Sequence, residues 1–131
     1  MVHISRRWRI VAWCIYLAIA FAMTHTPGGD IDLVPGFLSD TIMHAAGYCI
    51  LGILSIWVAA TNRAGLTVKT IGIVYLAILA YGVIDERTQP LVGRSCELSD
   101  WLADAAGGLV GIGLATAVHR RLSPGPSTSE F

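Results

Sequence analysis

The chain has 131 residues, of which 54% are hydrophobic and only 14% carry a charged side chain. A soluble domain of this size has roughly 25% charged residues, so the composition excludes an ordinary soluble domain and indicates a membrane protein. The net charge is zero and no nucleic-acid recognition motif is present, so we expect no nucleic-acid partner.

Four apolar segments predict four transmembrane helices. A helix needs about 20 residues to cross a bilayer, and the segments with their polar ends give helices at about 8–26, 40–61, 67–89 and 99–119. The predicted fold class is therefore all-α, with a single four-helix transmembrane domain over residues 1–122. The tail 123–131, SPGPSTSEF, is too polar and too rich in Pro and Gly to form a core, so we expect a disordered cytoplasmic tail.

The first span follows a basic segment that contains Arg6, Arg7 and Arg9. Secretory signal peptides begin in the same way, and Ala20-Phe21-Ala22 resembles a cleavage site. Removal of this segment is therefore an alternative to a retained first helix. Trp8 and other bulky side chains in the apolar run favour retention.

The distribution of charge predicts the orientation in the membrane. Lys and Arg accumulate on the cytoplasmic side of membrane proteins. With a cytoplasmic N-terminus, two basic residues lie outside, and seven lie inside: Arg6, Arg7, Arg9, Arg63, Lys69, Arg120 and Arg121. We therefore expect a multi-pass protein of the bacterial cytoplasmic membrane with both termini in the cytoplasm.

Polar residues recur at four-residue spacing near the outer ends of helices 2 and 3, where they share one helix face. They are Asp40, His44 and Tyr48 in helix 2, and Tyr81, Asp85 and Gln89 in helix 3. Glu86 lies about 100° around the helix from Asp85, so the two carboxylates must point in different directions.

Helix 4 contains the sequence LSDWLADAAGGLVGIG at 98–113. Asp100 and Asp104 are one turn apart and lie on the same stripe as Gly107 and Gly111. Small residues let one membrane helix approach another closely. Both carboxylates are therefore predicted to face the interior of the bundle, where ionisable groups are candidates for a functional site.

A repeat of about sixty residues is also present. Leu38-Ser39-Asp40 recurs as Leu98-Ser99-Asp100, which aligns His44 with Asp104, and Tyr16-Leu17-Ala18-Ile19 recurs in helix 3 from Tyr75. This pattern predicts two duplicated helix hairpins related by an axis along the membrane normal. A chance match between apolar segments is the alternative.

The order of these motifs resembles that of the VanZ-like family over residues 8–118. The matching pieces are Asp40-x-x-x-His44-x-x-x-Tyr48, Tyr81-Gly82-x-x-Asp85-Glu86-x-x-Gln89 and Gly93-Arg94-x-x-x-x-x-Asp100-x-x-x-Asp104-x-x-Gly107. The resemblance implies a small bacterial membrane protein with four helices and an association with the cell envelope. The namesake of the family is linked to teicoplanin resistance.

Three positions depart from the family pattern. Asp104 stands where the family usually has Asn, Thr41 stands where Lys is common, and Val92 replaces the Pro before Gly93-Arg94. The first change adds a carboxylate, so we expect a more acidic site than in relatives.

We expect the outer ends of helices 2, 3 and 4 to form an acidic cleft that binds a lipid-linked or peptidoglycan-related ligand or a glycopeptide. The predicted binding residues are Asp40, Tyr48, Tyr81, Gln89, Arg94, Asp100 and Asp104. Arg94 either binds an anionic group of the ligand or forms an ion pair with Glu97 or Asp100.

The alternative is a small membrane hydrolase or transferase that acts on a lipid head group. His44, Asp85 and Glu86 are then the candidate catalytic residues, with His44 as the base and Asp85 or Asp100 as its orienting group or a metal ligand. In a second alternative the chain is a structural subunit of an envelope complex, and His44 only holds two helices together. Whether the protein is an enzyme stays open at this point.

No cofactor motif is present, so we expect no cofactor apart from a divalent metal ion. Carboxylates with one imidazole suit such an ion, and its expected ligands are Asp40, His44, Asp85 and Asp100. The expected partners are the lipid bilayer, the cell-wall ligand and, in a homo-oligomer, a second copy of the chain.

Overall fold

The structure, a computed structural model, describes residues 4–26, 40–60 and 66–122. These described residues form four long helices, α1 (Arg6–Thr24), α2 (Asp40–Ala59), α3 (Val68–Thr88) and α4 (Leu98–Leu122), with a short 3-10 helix at Gln89–Val92. The described residues form no strand. The predicted tail 123–131, the segment with Leu38-Ser39 and the turn with Arg63 lie outside the described residues.

All four helices are long and apolar enough to cross a membrane. Their outward-facing side chains are mainly apolar and exposed, as expected of surfaces that contact lipid. The all-α fold class and the four transmembrane helices are therefore confirmed, and the chain is a multi-pass membrane protein. Consecutive helices run in opposite directions.

The last turns of α1 and α3 lie beside the first turns of α2 and α4. Thr24 contacts Asp85, and Thr41 contacts Asp100. We call this end of the bundle the polar end. The basic residues of the described helices that begin α1 and α3 or end α4 lie at the opposite end: Arg6, Arg7, Arg9, Lys69, Arg120 and Arg121.

The end of α3 follows from local sequence. Pro90 lacks an amide hydrogen and disfavours continuation of the helix, so the chain tightens into the 3-10 helix after Thr88. Gly93 then adopts a left-handed conformation with φ of 80°, which a residue without Cβ reaches at little cost. This turn brings Arg94 back towards the bundle.

The closest packing in the bundle joins α2 and α4, which run in parallel. A Cβ atom at Gly107 would fall on the carbonyl group of Ala45, and one at Gly111 on the carbonyl group of Cys49. The two backbones are therefore in direct contact. The predicted small-residue stripe is confirmed as a helix-packing surface, and it carries Asp104 into the interior of the bundle.

The sixty-residue repeat has a counterpart in the contacts. The hydroxyl group of Tyr16 donates a hydrogen bond to the carbonyl of Gly47 at 2.7 Å. The aligned Tyr75 donates to the carbonyl of Ala105 at 3.3 Å. Each hairpin thus joins its two helices by a hydrogen bond from an aligned tyrosine, but the acceptors differ, because the repeat aligns Gly47 with Gly107 and not with Ala105.

Candidate His-carboxylate site at the polar end

Among the described residues, six polar side chains are buried at the polar end, each at most 4% exposed: His44, Asp85, Glu86, Gln89, Asp100 and Asp104. They come from α2, from α3 with the 3-10 helix that follows it, and from α4. Burial of ionisable groups is unfavourable unless charges are paired and hydrogen bonds are made. The hydrogen-bond and ion-pair partners of each group therefore indicate what the site can bind.

His44 and Asp104 form the central contact. Nδ1 of His44 lies 2.9 Å from Oδ1 of Asp104. The hydrogen bond orients the imidazole ring, while Nε2 of His44 has no hydrogen-bond partner among the described residues. The sequence placed Asp104 among the binding residues and offered Asp85 or Asp100 as the orienting group; in the structure the group bonded to His44 is Asp104.

Asp85 faces the end of α1. Its Oδ1 atom accepts a hydrogen bond from Thr24 Oγ1 at 2.8 Å and lies 3.7 Å from Nδ1 of His25. His25 in turn contacts Thr88 through Nε2 at 2.8 Å. The sequence analysis did not include Thr24, His25 or Thr88 in the site, so α1 contributes a wall that was not predicted.

Glu86 points away from Asp85, as its position on the helix predicts. One carboxylate oxygen accepts a hydrogen bond from Gln89 Nε2 at 3.1 Å, and the other accepts one from the backbone amide of Glu97 at 3.0 Å. Oε1 is also 3.7 Å from Nδ1 of His44. Because both of its oxygens already accept hydrogen bonds, Glu86 fixes the segment before α4 and positions His44.

The rim of the site is more open. Asp40 is exposed and pairs with the guanidinium group of Arg94. The ion pair of Arg94 is therefore with Asp40 and not with Glu97 or Asp100, the two partners that the sequence suggested. Thr41 donates to Oδ1 of Asp100 at 2.9 Å. These two contacts tie the first turn of α2 to the segment around α4.

Several buried polar atoms have no hydrogen-bond partner within the described part of the chain. Those at the polar end are His44 Nε2, Tyr48 Oη, Tyr81 Oη, Asp85 Oδ2 and Asp104 Oδ2. The two tyrosine rings lie 5.9 Å apart, between centroids. An unsatisfied buried polar group costs about 1–3 kcal/mol, so this concentration indicates a place for water, an ion or a ligand.

Within the described ranges of the chain, two sets of three side chains have the spacing of a cation site. The rim set is Asp40, His44 and Asp100, and the inner set is His44, Asp85 and Asp104; within each, one ligand atom per residue lies within 4.8 Å of the others. The four residues predicted as metal ligands are thus divided between two sets that share His44. Asp104, which the predicted ligand list lacked, completes the inner one.

The ten side chains predicted for the site all belong to the polar end of the bundle. Nine are buried or half-buried and Asp40 is exposed. The inner set is closed to solvent, whereas the sequence predicted an acidic cleft at the outer ends of the helices. The structure adds the end of α1 and three threonines to the predicted site. Thr24 bonds to Asp85, Thr41 to Asp100 and Thr88 to His25.

Comparison with known proteins agrees with this architecture. The model of the VanZ/LLP1 family matches residues 10–119, which include all four helices nearly in full and every residue of the site. No curated protein and no solved structure matches the chain. The family match covers most of the sequence, and the chain therefore belongs to the VanZ/LLP1 family.

Proposed function

We propose that the chain is an envelope protein of the bacterial cytoplasmic membrane that binds a lipid-linked or peptidoglycan-related molecule, or a glycopeptide, at its polar end. The observation that carries this proposal is the cluster of unpartnered polar atoms that α2, α3 and α4 hold at one end of an apolar bundle. Such a site lies at the depth of lipid head groups rather than in the middle of the hydrocarbon.

The orientation is part of the proposal. The basic residues that begin α1 and α3 and end α4 lie opposite the polar end, and such residues favour the cytoplasmic side. The polar end then faces outwards, where peptidoglycan precursors and glycopeptides are found. Both termini lie in the cytoplasm in this arrangement.

The rim set defines the ligand chemistry. Carboxylates accept hydrogen bonds, so Asp40 and Asp100 suit ligand hydroxyl, amide or ammonium groups, which sugars and peptides supply. Leu91 and Leu98 flank this end of the bundle and are 83% and 71% exposed. A ligand with a lipid tail can therefore place its head group at the rim and its chain along the apolar surface.

Binding to the purified protein tests the proposal. The probes are a polyprenyl-linked muropeptide and teicoplanin, and retention is followed by native mass spectrometry from mild detergent. We expect Asp100→Asn to weaken retention of one probe at least tenfold, because a charged acceptor at the rim is lost. Glu97→Gln, three residues earlier and exposed, is the matched control and should bind like the unmodified chain. Equal retention by Asp100→Asn and the control, or none by the unmodified chain, would refute the proposal.

A second candidate function is supported by the His44–Asp104 pair. With Nδ1 donating to the carboxylate of Asp104, Nε2 of His44 carries a free lone pair and can act as a general base. The reaction class is hydrolysis or group transfer at a lipid head group. Asp104→Asn should then lower head-group release at least 100-fold while probe retention persists, because the wrong tautomer is stabilised. Absence of head-group release by the unmodified chain would exclude this candidate.

A further inference from the structure

We infer that the inner set, His44, Asp85 and Asp104, holds one divalent transition-metal ion such as Mn²⁺ or Zn²⁺. The inference deepens the proposed function and rests on it for the location of the site. The rim carboxylates bind hydrogen-bond donors of the bound molecule. A cation beneath the rim would also bind groups that present oxygen acceptors, such as the phosphate of a lipid-linked precursor.

The geometry of the inner set is that of ligands around one ion. Metal bonds to imidazole nitrogen or carboxylate oxygen are about 2.0–2.2 Å long, which places adjacent ligand atoms about 3 Å apart. Nδ1 of His44 and Oδ1 of Asp104 are 2.9 Å apart, and one ligand atom of Asp85 lies within 4.8 Å of both residues' ligand atoms. An ion can therefore replace the proton that His44 and Asp104 share.

Unpartnered oxygens provide the second and independent observation. Asp85 and Asp104 are each 1% exposed, and each has one oxygen anchored by Thr24 or His44 while Oδ2 has no partner among the described residues. Tyr48, one turn beyond His44 and also buried, has an unpartnered hydroxyl as well. In Asp85, the oxygen anchored by Thr24 leaves Oδ2 free to ligate, which is the arrangement that orients a metal ligand.

The balance of charge favours a cation in the same place. The carboxylates of Asp85, Glu86, Asp100 and Asp104 are buried around His44. Among the described residues, His25 lies near Asp85, Arg94 pairs with Asp40 at the rim, and Arg87 at the end of α3 is exposed. A divalent ion offsets two buried carboxylates at once in a medium of low dielectric constant.

The donor set also narrows the choice of metal. One imidazole nitrogen with carboxylate oxygens suits Mn²⁺ or Zn²⁺, whereas Ca²⁺ and Mg²⁺ prefer oxygen ligands alone. Binding through Nδ1 places the remaining ring proton on Nε2. A metal-bound His44 therefore cannot act as the general base of the second candidate function, so metal binding and that mechanism exclude one another.

Metal titration of the full-length chain in detergent tests the inference without any lipid ligand. After treatment with a chelator, MnCl₂ is added and free Mn²⁺ is followed by electron paramagnetic resonance. We expect saturation at one ion per chain and at least tenfold weaker binding by Asp104→Asn and by Asp85→Asn, with Glu97→Gln unchanged. Saturation at no defined ratio, or equal affinity in Asp104→Asn, would overturn the inference.

A spectroscopic measurement on the unmodified chain keeps the test independent of variants that fail to fold. Bound Mn²⁺ should show hyperfine coupling to one imidazole nitrogen, and His44→Gln should abolish that coupling. Bound Mn²⁺ without nitrogen coupling would place the ion elsewhere and overturn the inference. If the chain retains the muropeptide but binds no Mn²⁺, only the metal site is refuted. If the chain binds Mn²⁺ but retains no muropeptide, only the proposed ligand is refuted.

Discussion

His44 and Asp104 lie sixty residues apart, at aligned positions of the two hairpins, and they contact each other at 2.9 Å. Each side chain reaches the other because α2 and α4 run in parallel with their backbones in contact. His25 and Asp85, also sixty residues apart, face each other at 3.7 Å. The first hairpin thus supplies the imidazole and the second supplies the carboxylate in two such pairs.

The energetic coupling between His44 and Asp104 is the first prediction. A buried hydrogen bond to a charged group contributes about 1.5–3 kcal/mol, so a double-mutant cycle with His44→Ala and Asp104→Ala should give a coupling free energy in that range. Unfolding of the purified chain in mixed detergent micelles provides the measurement. The exposed pair Ser99 and Glu97 is the reference, with coupling below about 1 kcal/mol. A coupling below that of the reference would contradict the assigned contact.

The contact between α2 and α4 predicts opposite outcomes for two glycines of α4. Gly111→Ala places a methyl group on the carbonyl of Cys49, so it should destabilise the fold by about 1–3 kcal/mol. Gly113→Ala meets nothing within 4 Å and should be neutral or slightly stabilising, because Ala is the better helix former. Unfolding free energies in micelles compare the two. Equal effects would mean that the helices approach each other along a different face.

The aligned tyrosines predict matched and small losses of stability. Tyr16→Phe and Tyr75→Phe each remove one hydrogen bond to a helix carbonyl. Such bonds in membrane proteins contribute about 0.6 kcal/mol on average. The two single variants should therefore differ by little, and the double variant should lose about their sum. A large loss in one variant alone would show that the two hairpins use these residues differently.

The attachment of α1 should depend on its last residue. No residue of α1 is buried, and the hydrogen bond from Thr24 to Asp85 joins its last turn to α3. Thr24→Val keeps the shape and removes the donor, and should speed amide hydrogen exchange in the last turns of α1 at least tenfold. Thr70→Val, at the start of α3, removes an exposed hydroxyl and serves as the control. Unchanged exchange in Thr24→Val would show that the other contacts of α1, such as the bond from Tyr16 to Gly47, hold its last turns in place.

Cys96 reports the orientation directly. It is exposed in the segment between the 3-10 helix and α4, at the polar end. A membrane-impermeant maleimide should label intact spheroplasts at Cys96, and Cys96→Ser should abolish the signal, because Cys14 and Cys49 lie within spans. Labelling that appears only after lysis would reverse the proposed orientation and place the site in the cytoplasm.

The sequence predicted the parts of the site that depend on helix periodicity. The shared faces of α2 and α3 and the carboxylates above the glycine stripe of α4 follow from 3.6 residues per turn. The glycines also predicted which surface of α4 is buried, because close backbone contact requires them.

The pairing of charges was harder to predict than their location. Asp85, Asp100 and Asp104 all lie within reach of α2, and a small rotation of one helix changes which of them meets His44. The same uncertainty applied to Arg94, which pairs with Asp40 because the turn at Gly93 directs it towards α2. These choices depend on tertiary geometry rather than on spacing.

The periodicity of the individual helices did not identify His25 as a residue of the site. It follows α1, which carries no polar stripe, and precedes a segment rich in Pro and Gly. The repeat does not supply the signal either: in helices 1 and 3 it aligns Tyr16 with Tyr75, fifty-nine residues apart, so His25 aligns with Ile84 rather than with Asp85.

The parallel contact of α2 with α4 also sets an order of events during biosynthesis. The ribosome releases α2 before α3 and α4, so His44 enters the translocon before Asp104 has been translated. Until α4 arrives, the imidazole has neither its carboxylate nor the glycine surface that shields it from lipid. Insertion of α4 therefore completes the site, and a nascent chain that stalls after α3 leaves a polar helix face for membrane quality-control proteases to recognise.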